Sequence, residues 1–289
     1  MAQSNNHLVI MAGGVGSRFW PMSTTEHPKQ FIDVLGVGQT LLQLTYDRFS
    51  GVVPSDNVWV VTNQKYVDLV HEQLPEMPLN HILSEPCRRN TAPCIAYVSW
   101  RIKKENPKAN IVVSPSDHVV MDNTEFRRVV TNCMKFTAET DAIVTLGMKP
   151  TRPETGYGYI QADLSTASAR NKEIYRVDHF REKPDLETAE GYIRQNNFFW
   201  NAGIFIWSAS TIVNAFRIYQ PSVARIFEQI MNVLGTSEEQ RVIDEVYPEC
   251  ENISVDYAIM ERAEEIFVCP ASFGWSDLGT WGSLTAQSQ

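Results

Sequence analysis

The sequence predicts an α/β fold in which a mostly parallel central sheet is flanked by helices and a hairpin region is added in the second half. Three observations carry this. Runs such as LVIM (8–11), VWVVT (58–62) and IVV (111–113) are apolar throughout, as in strands buried on both faces. Stretches of helical periodicity alternate with them, and βαβα order favours parallel pairing. Past Pro150 the pattern turns to alternating segments rich in Tyr and Thr, which suits an antiparallel hairpin.

The elements follow in order. Residues 8–11 form the first strand, which empties into Ala12, Gly13, Gly14, Val15 and Gly16. Three glycines in four positions let the backbone turn its N–H groups toward one point, a concave site for phosphate oxygens. Arg18 and Lys29 add full positive charge nearby. A helix over 41–49, a strand at 58–62, a helix over 64–74 and a short strand at 82–84 continue the alternation. The segment EPCRRNTAP (85–93) follows, with Asn90 and Thr91 placed to cap a helix whose Ile95, Val98 and Ile102 recur at helical spacing. Strand 111–113 then runs into SPSDHV. In open parallel sheets ligands gather at the carboxyl ends of strands, so Asp117 is a metal-ligand candidate. Taken alone it would read as a turn or cap residue, and His118 beside it as a residue that backs up a ligand or simply packs.

Asp122 and Glu125 suggest a capping box for a helix over 125–137, which leads to strand 142–148. The hairpin arms are TRPETGYGYIQ and YRVDHFREKP, joined by a loop at 165–172. At the end of the second arm Pro184 biases Lys183 toward an extended backbone that aims its side chain. A helix over 186–195 returns the chain to FFWNAGIFIW, an apolar strand interrupted at 200–203. Asn201 sits there among aromatics, where an unpaired amide would cost about 1 to 3 kcal/mol, so it must hydrogen-bond a ligand hydroxyl or a backbone group. Helices over 208–234 break at Pro221, SEEQ (237–240) reads as a capping box, and Asp256 lies near a helix start. The last strand, 266–269, runs into FGWSDLGTWGSL, where Asp277 is the second metal-ligand candidate.

Composition bounds the function. With 289 residues, 43% hydrophobic and 20% charged, the chain can bury one large core, and it reads as a single domain in two halves, 8–150 and 151–289, divided where the pattern changes past Pro150. A net charge of -9 disfavours nucleic acid or an anionic membrane as partner, whereas a small phosphate ligand needs only a few converging cations. There is no charged leader before an apolar run and no apolar stretch long enough to cross a bilayer, so a cytoplasmic protein is expected. Five cysteines with no CxxC pair read as reduced, structural thiols.

The loop fits neither common phosphate motif. A Walker loop needs Gly, four residues, Gly, Lys and Ser or Thr, whereas Ser17 and Arg18 follow Gly16, and Phe19 stands where a dinucleotide fingerprint needs its third glycine. The stretch GGVGSR with HPKQF instead resembles the signature of sugar-1-phosphate nucleotidyltransferases, and Phe19, Trp20, Pro21 and PKQF resemble the mannose-1-phosphate guanylyltransferases in particular. The other motifs of that family occur in order up to about Trp281.

The resemblance implies a Rossmann-like, mixed-sheet nucleotidyltransferase (glycosyltransferase A-like) fold with an inserted β-hairpin region for the sugar. It implies that Gly13, Gly14, Gly16, Ser17, Arg18 and Lys29 bind the nucleoside triphosphate, with Glu85 and Asn90 at the base. Asp117 and Asp277 would share one Mg²⁺, an ion that takes oxygen ligands and keeps water or phosphate in its other positions. Lys183 would hold the sugar phosphate, and Gly158, Glu182, Asn201 and Asp256 would line the hexose. The implied reaction is in-line attack by mannose 1-phosphate on the α-phosphate of GTP, giving GDP-mannose and pyrophosphate. Such transfer needs alignment and cations more than covalent help. Family members commonly carry a further C-terminal β-helix or isomerase domain, which this chain lacks after Trp281; that segment can support a homodimer, a state left open here. Rival readings are a thymidylyl- or uridylyltransferase acting on glucose 1-phosphate, a non-catalytic nucleotide-sugar sensor, and a Rossmann oxidoreductase.

Overall fold

The computed structural model describes residues 4–14, 22–167 and 170–278. The expectations for Gly16, Ser17 and Arg18, and for the tail from Gly279, lie outside the described residues.

The first half alternates as expected. Strands β1 (Asn6–Ala12), β2 (Val58–Asn63), β3 (Ile82–Glu85) and β4 (Asn110–Pro115) pair in parallel in the order β3-β2-β1-β4. Helices α1 (Leu41–Arg48), α2 (Val67–Gln73) and α3 (Thr91–Glu105) connect them. A two-residue strand β5 (Val119–Val120), helix α4 (Asn123–Ala138) and strand β6 (Ile143–Met148) follow. The hairpin is β7 (Tyr159–Asp163) and β8 (Tyr175–Arg181), after which come α5 (Leu186–Gln195) and the long β9 (Phe198–Ser208). Helices α6 (Ala209–Tyr219), α7 (Pro221–Gln229) and α8 (Glu239–Val246) precede β10 (Ile266–Ala271) and the short β11 (Trp275–Ser276).

These strands make one nine-stranded mixed sheet, ordered β3-β2-β1-β4-β9-β6-β10-β8-β7, and β5 pairs with β11 apart from it. Strand β9 enters antiparallel between β4 and β6, while β6 and β10 are parallel to each other. The hairpin joins the sheet through β8 to β10 and β7 to β9. The sheet is packed on both faces, and the period of two in β1 shows it: Leu8 and Ile10 meet Phe49 and Phe126 from the α1 and α4 side, whereas Val9 meets Tyr97, Trp100 and Phe216 from α3 and α6. No helix among the described residues is long and apolar enough to cross a membrane.

Four local expectations are corrected. The predicted interruption at 200–203 is no break, since β9 runs through it; the register against β6 shifts between Thr145 and Gly147, and Gly203 takes φ +70°, so the extra length is absorbed as a bulge. SEEQ forms no capping box, because α8 starts at Glu239 and its N-cap Glu238 makes no side-chain cap; the hydroxyl of Thr236 accepts from the Glu238 N–H instead. The box at α4 is half made: Asp122 accepts from the Glu125 N–H, but the Glu125 carboxylate turns to Arg128 at 2.7 Å. Lys183 is not extended. Its φ is +37°, in the left-handed region, so the turn that leaves β8 overrides the preference set by Pro184.

Candidate functional site

The parallel strands β1, β3 and β4 end together, and side chains from elsewhere pin the glycine loop there. The Ala12 carbonyl accepts from the Thr62 hydroxyl (2.8 Å), and the Gln30 amide donates to the carbonyls of Ala12 (3.3 Å) and Gly14 (2.7 Å). Ser116, just past β4, donates to the Met11 carbonyl (2.8 Å) and ties that loop to the same strand end. Gln30 is 2% exposed, so within PKQF this residue is the fastener of the loop.

Lys29 stands beside it on a short 3₁₀ turn begun by Pro28. Although 3% exposed, its ammonium is well supplied: it lies 3.3 Å from the Asp117 carboxylate and donates to the carbonyls of Asp277 (2.8 Å) and Leu278 (3.3 Å). A buried lysine thus joins the loops of two aspartates that stand far apart in the chain, Asp117 and Asp277, both of them expected from the sequence. Neutral groups orient the carboxylates. Trp275 Nε1–H donates to His118 Nδ1 (3.1 Å), which leaves the His118 proton on Nε2, facing Asp117 Oδ1 at 3.4 Å. Burial keeps His118 below its ordinary pKa, against the pull of Asp117 and Asp277. Burial also works to raise the Asp117 carboxyl, but His118, Lys29 and its own backbone N–H hold it below the usual carboxylate value. The Tyr157 hydroxyl donates to Asp277 Oδ1 (3.0 Å), and the Tyr157 and Trp200 rings lie under the Arg152 guanidinium at 5.8 and 5.1 Å.

The wall beyond Gly13 is made by Glu85 at the end of β3. It is 7% exposed, one oxygen accepts from the Tyr247 hydroxyl, and burial lifts its pKa to about 7, while Tyr247 and Arg88 pull it down. A Cβ on Gly13 would lie 2.9 Å from the other oxygen, so the glycine is needed for this approach. Asn90 caps α3 by accepting from the Thr91 N–H (2.9 Å), at φ +67°.

The opposite wall is a carboxyl-rich cluster. Asn201 donates to Asp256 Oδ1 (2.9 Å) and its own Oδ1 accepts from the Gly203 N–H (3.0 Å), so the half-buried amide finds a carboxylate and a backbone group. Asp256 opens a π-helix, Asp256–Met260, a rare form that recurs at functional sites. Burial raises the carboxyl of Asp256 against the Asn201 hydrogen bond; burial and then Asp256 raise that of Glu182, with Lys183 opposing. Gly158 accepts from the Asn201 N–H (2.9 Å), and a Cβ there would sit 3.1 Å from Glu182. Lys183 is exposed at the end of the same arm.

One cavity of about 620 Å³ brings Gly13, Gly14, Glu85, Asn90, Asp117 and Asp256 together in its walls, while Lys29, Gly158, Glu182, Lys183, Asn201 and Asp277 stand outside its lining. That volume falls in the range of roughly 300–1,000 Å³ usual for ligand sites. The nucleotidyl transferase family model matches residues 7–289. The chain belongs to the nucleotidyl transferase family. It is 39% identical to a mannose-1-phosphate guanylyltransferase of Escherichia coli (strain K12), covering 98% of this chain and 60% of the relative. It is 40% identical to mannose-1-phosphate guanylyltransferase 2 of Escherichia coli O157:H7, covering 96% and 58%. The chain therefore spans about 60% of the length of the curated relatives it matches. The crystal structure of a mannose-1-phosphate geranyltransferase from Thermus thermophilus superposes with a TM-score of 0.86 at 31% identity, over 99% of this chain and 80% of that one.

Within this nucleotidyl transferase, sequence reasoning named most of the cavity's charged walls and missed their holders. Gln30, Tyr157, Trp275 and Tyr247 were not singled out, because a lone aromatic or amide carries no motif and its role appears only when distant segments meet; Arg88, itself a wall of the cavity, was passed over as well. Among the described residues no three His, Cys, Asp or Glu side chains form a ready-made metal cage. The Asp117 and Asp277 carboxylates, in two loops joined through Lys29, nevertheless have the oxygen chemistry that suits Mg²⁺, which is usually held by one or two carboxylates plus substrate phosphates.

Proposed function

We propose that this nucleotidyl transferase makes GDP-mannose and pyrophosphate from GTP and mannose 1-phosphate. The observation that carries the reading is the single cavity whose walls include Glu85 and Asn90, then Asp117, then Asp256, opening at the carboxyl ends of parallel strands. In this reading the base lies at Glu85 and Asn90, and the triphosphate at Gly13, Gly14, Gly16, Ser17, Arg18 and Lys29. The hexose lies against Gly158, Glu182, Asn201 and Asp256, with its phosphate on Lys183. Mannose 1-phosphate is already anionic near neutral pH, so no general base is needed. The task of the protein is to align the attacking oxygen with the α-phosphorus and to place cations where charge accumulates. Lys29 does the second from a buried position, where its field is little screened. Mg²⁺, when held by Asp117 and Asp277, supplies further positive charge to the phosphates. The names of the two bacterial relatives support the choice of mannose 1-phosphate and the guanylyl group.

The test is pyrophosphate release with Mg²⁺ from GTP, dTTP, UTP and ATP, each with mannose 1-phosphate and with glucose 1-phosphate. Release confined to GTP with mannose 1-phosphate is expected. Release with dTTP or UTP and glucose 1-phosphate would keep the fold and discard these substrates, and no release from any pair would favour a sensor of nucleotide sugars.

A further inference from the structure

We propose that Tyr247 is a positioning residue for base selection: its hydroxyl fixes the Glu85 carboxylate as the acceptor for the adjacent N1–H and 2-amino donors of a guanine base. The proposal rests on the reading above and adds the device that would prefer one purine.

Three observations lead to it. The first is that Tyr247 comes from a distant part of the chain, 162 residues from Glu85, yet its hydroxyl donates to Glu85 Oε2 in a buried site. Its ring is fully buried in an aromatic cluster with Tyr97 and Phe227 (centroids 6.3 and 6.5 Å away), so the hydroxyl has no freedom to swing. The second is the other oxygen. Glu85 Oε1 faces Gly13 closely enough that a Cβ there would meet it at 2.9 Å, and both residues line the cavity. The third is charge. Among the described residues the titratable groups facing Glu85 are Tyr247, Arg88 and Cys94, and the first two favour its ionised form against the burial that lifts it to about 7.

An ionised carboxylate only accepts hydrogen bonds. Among the common bases guanine alone presents two adjacent donors, N1–H and the 2-amino group, on one edge. Adenine and cytosine set a ring-nitrogen acceptor beside their amino group, and uracil and thymine flank one N–H with two carbonyls, so each brings an acceptor against the carboxylate. Arg88, on the wall of the same cavity, is a donor for the guanine O6 next to that edge. A site built to satisfy polar groups rejects analogues that lack them far better than an apolar pocket does.

The test is titration of the full chain with GTP, ITP and ATP in the presence of Mg²⁺, at pH 7 and pH 8.5, for wild type, Tyr247→Phe and Glu85→Gln. ITP keeps N1–H and lacks only the 2-amino group. Wild type should bind GTP about tenfold or more tighter than ITP, the worth of a hydrogen bond to a charged group. Tyr247→Phe should reduce that preference at pH 7 and regain part of it at pH 8.5, where Glu85 without its donor ionises. Glu85→Gln should abolish it at both. Equal affinity of wild type for GTP and ITP would overturn the proposal. So would a Tyr247→Phe variant that weakens GTP and ITP alike at both pH values, or one that keeps the full preference. If Tyr247→Phe does not fold, Glu85→Gln decides, and a retained preference for GTP refutes the idea. A wild type that prefers GTP in binding but makes no GDP-mannose would defeat the proposed function and leave this proposal standing; the reverse pattern would do the opposite.

Discussion

At Glu85 binding and stability pull in opposite directions. Its pKa rises from the ordinary 4.5 to about 7 because the charged form is desolvated. Between those values the folded chain keeps a proton that the unfolded chain has lost, so stability falls as pH rises through this window, and above it the carboxylate costs roughly 3 kcal/mol. Glu85→Gln should therefore raise the unfolding free energy by about 1–3 kcal/mol at pH 8 and by little at pH 4.5, as read from urea melts at both. A larger gain at the lower pH would contradict the assignment. Lys183 is a second residue held off its preferred geometry, at φ +37°. Lys183→Gly removes the clash of a Cβ at positive φ, so the melting temperature should hold or rise. The KM for mannose 1-phosphate should increase about tenfold or more while GTP binding stays nearly unchanged, as expected for a lost charged contact to phosphate. Equal loss for both substrates would remove Lys183 from the sugar phosphate. The left-handed turn was not legible beforehand because the rule for residues before proline is local, whereas the path from β8 into α5 is set by the sheet.

Among the elements, β9 does the most to bring the halves together. It pairs with β4 on one side and β6 on the other, and its bulge carries Gly203 to the cavity and Asn201 to the Asp256 carboxylate that lines it. Gly147 in β6 is the matching small position, since a Cβ there would stand 2.7 Å from Phe199 Cβ and 2.8 Å from Val268 Cγ2. Gly147→Ala should cost about 1–3 kcal/mol by overpacking, seen as a lower urea midpoint with an unchanged slope. The pair β5 and β11 holds the second carboxylate loop: Trp275 reaches His118 from β11, and Asp277 follows directly. Tyr157→Phe frees one Asp277 oxygen from its donor, so the Mg²⁺ concentration for half-maximal activity should rise about tenfold without loss of fold. An unchanged requirement would leave Asp277 oriented by other contacts. Longer strands and helices were legible from apolar runs and period, with edges within a few residues of the observed ones. Two-residue strands have no period, so β5 and β11 were not, and with them went the Trp275 contact that turns His118 toward Asp117.

For the whole molecule, net charge is a poor guide to the site. The chain carries -9, yet Lys29 is buried between two carboxylate loops, and the acidic total excludes polyanions better than it excludes one phosphate chain. Motifs and the family resemblance pointed to the glycine loop, to Asp117 and Asp277 and to the group around Asn201 and Asp256; folding supplied what they do not contain, namely that Glu85, Asp117 and Asp256 wall one cavity. The claim at the centre is that an oxygen of mannose 1-phosphate attacks the α-phosphorus of GTP within that cavity. Its most direct test is phosphorus NMR of the products from GTP and mannose 1-phosphate carrying ¹⁸O on its non-bridging phosphate oxygens. All label is expected in GDP-mannose, including the new diphosphate bridge, with none in pyrophosphate. Label appearing in pyrophosphate, or turnover that yields no GDP-mannose, would contradict the account.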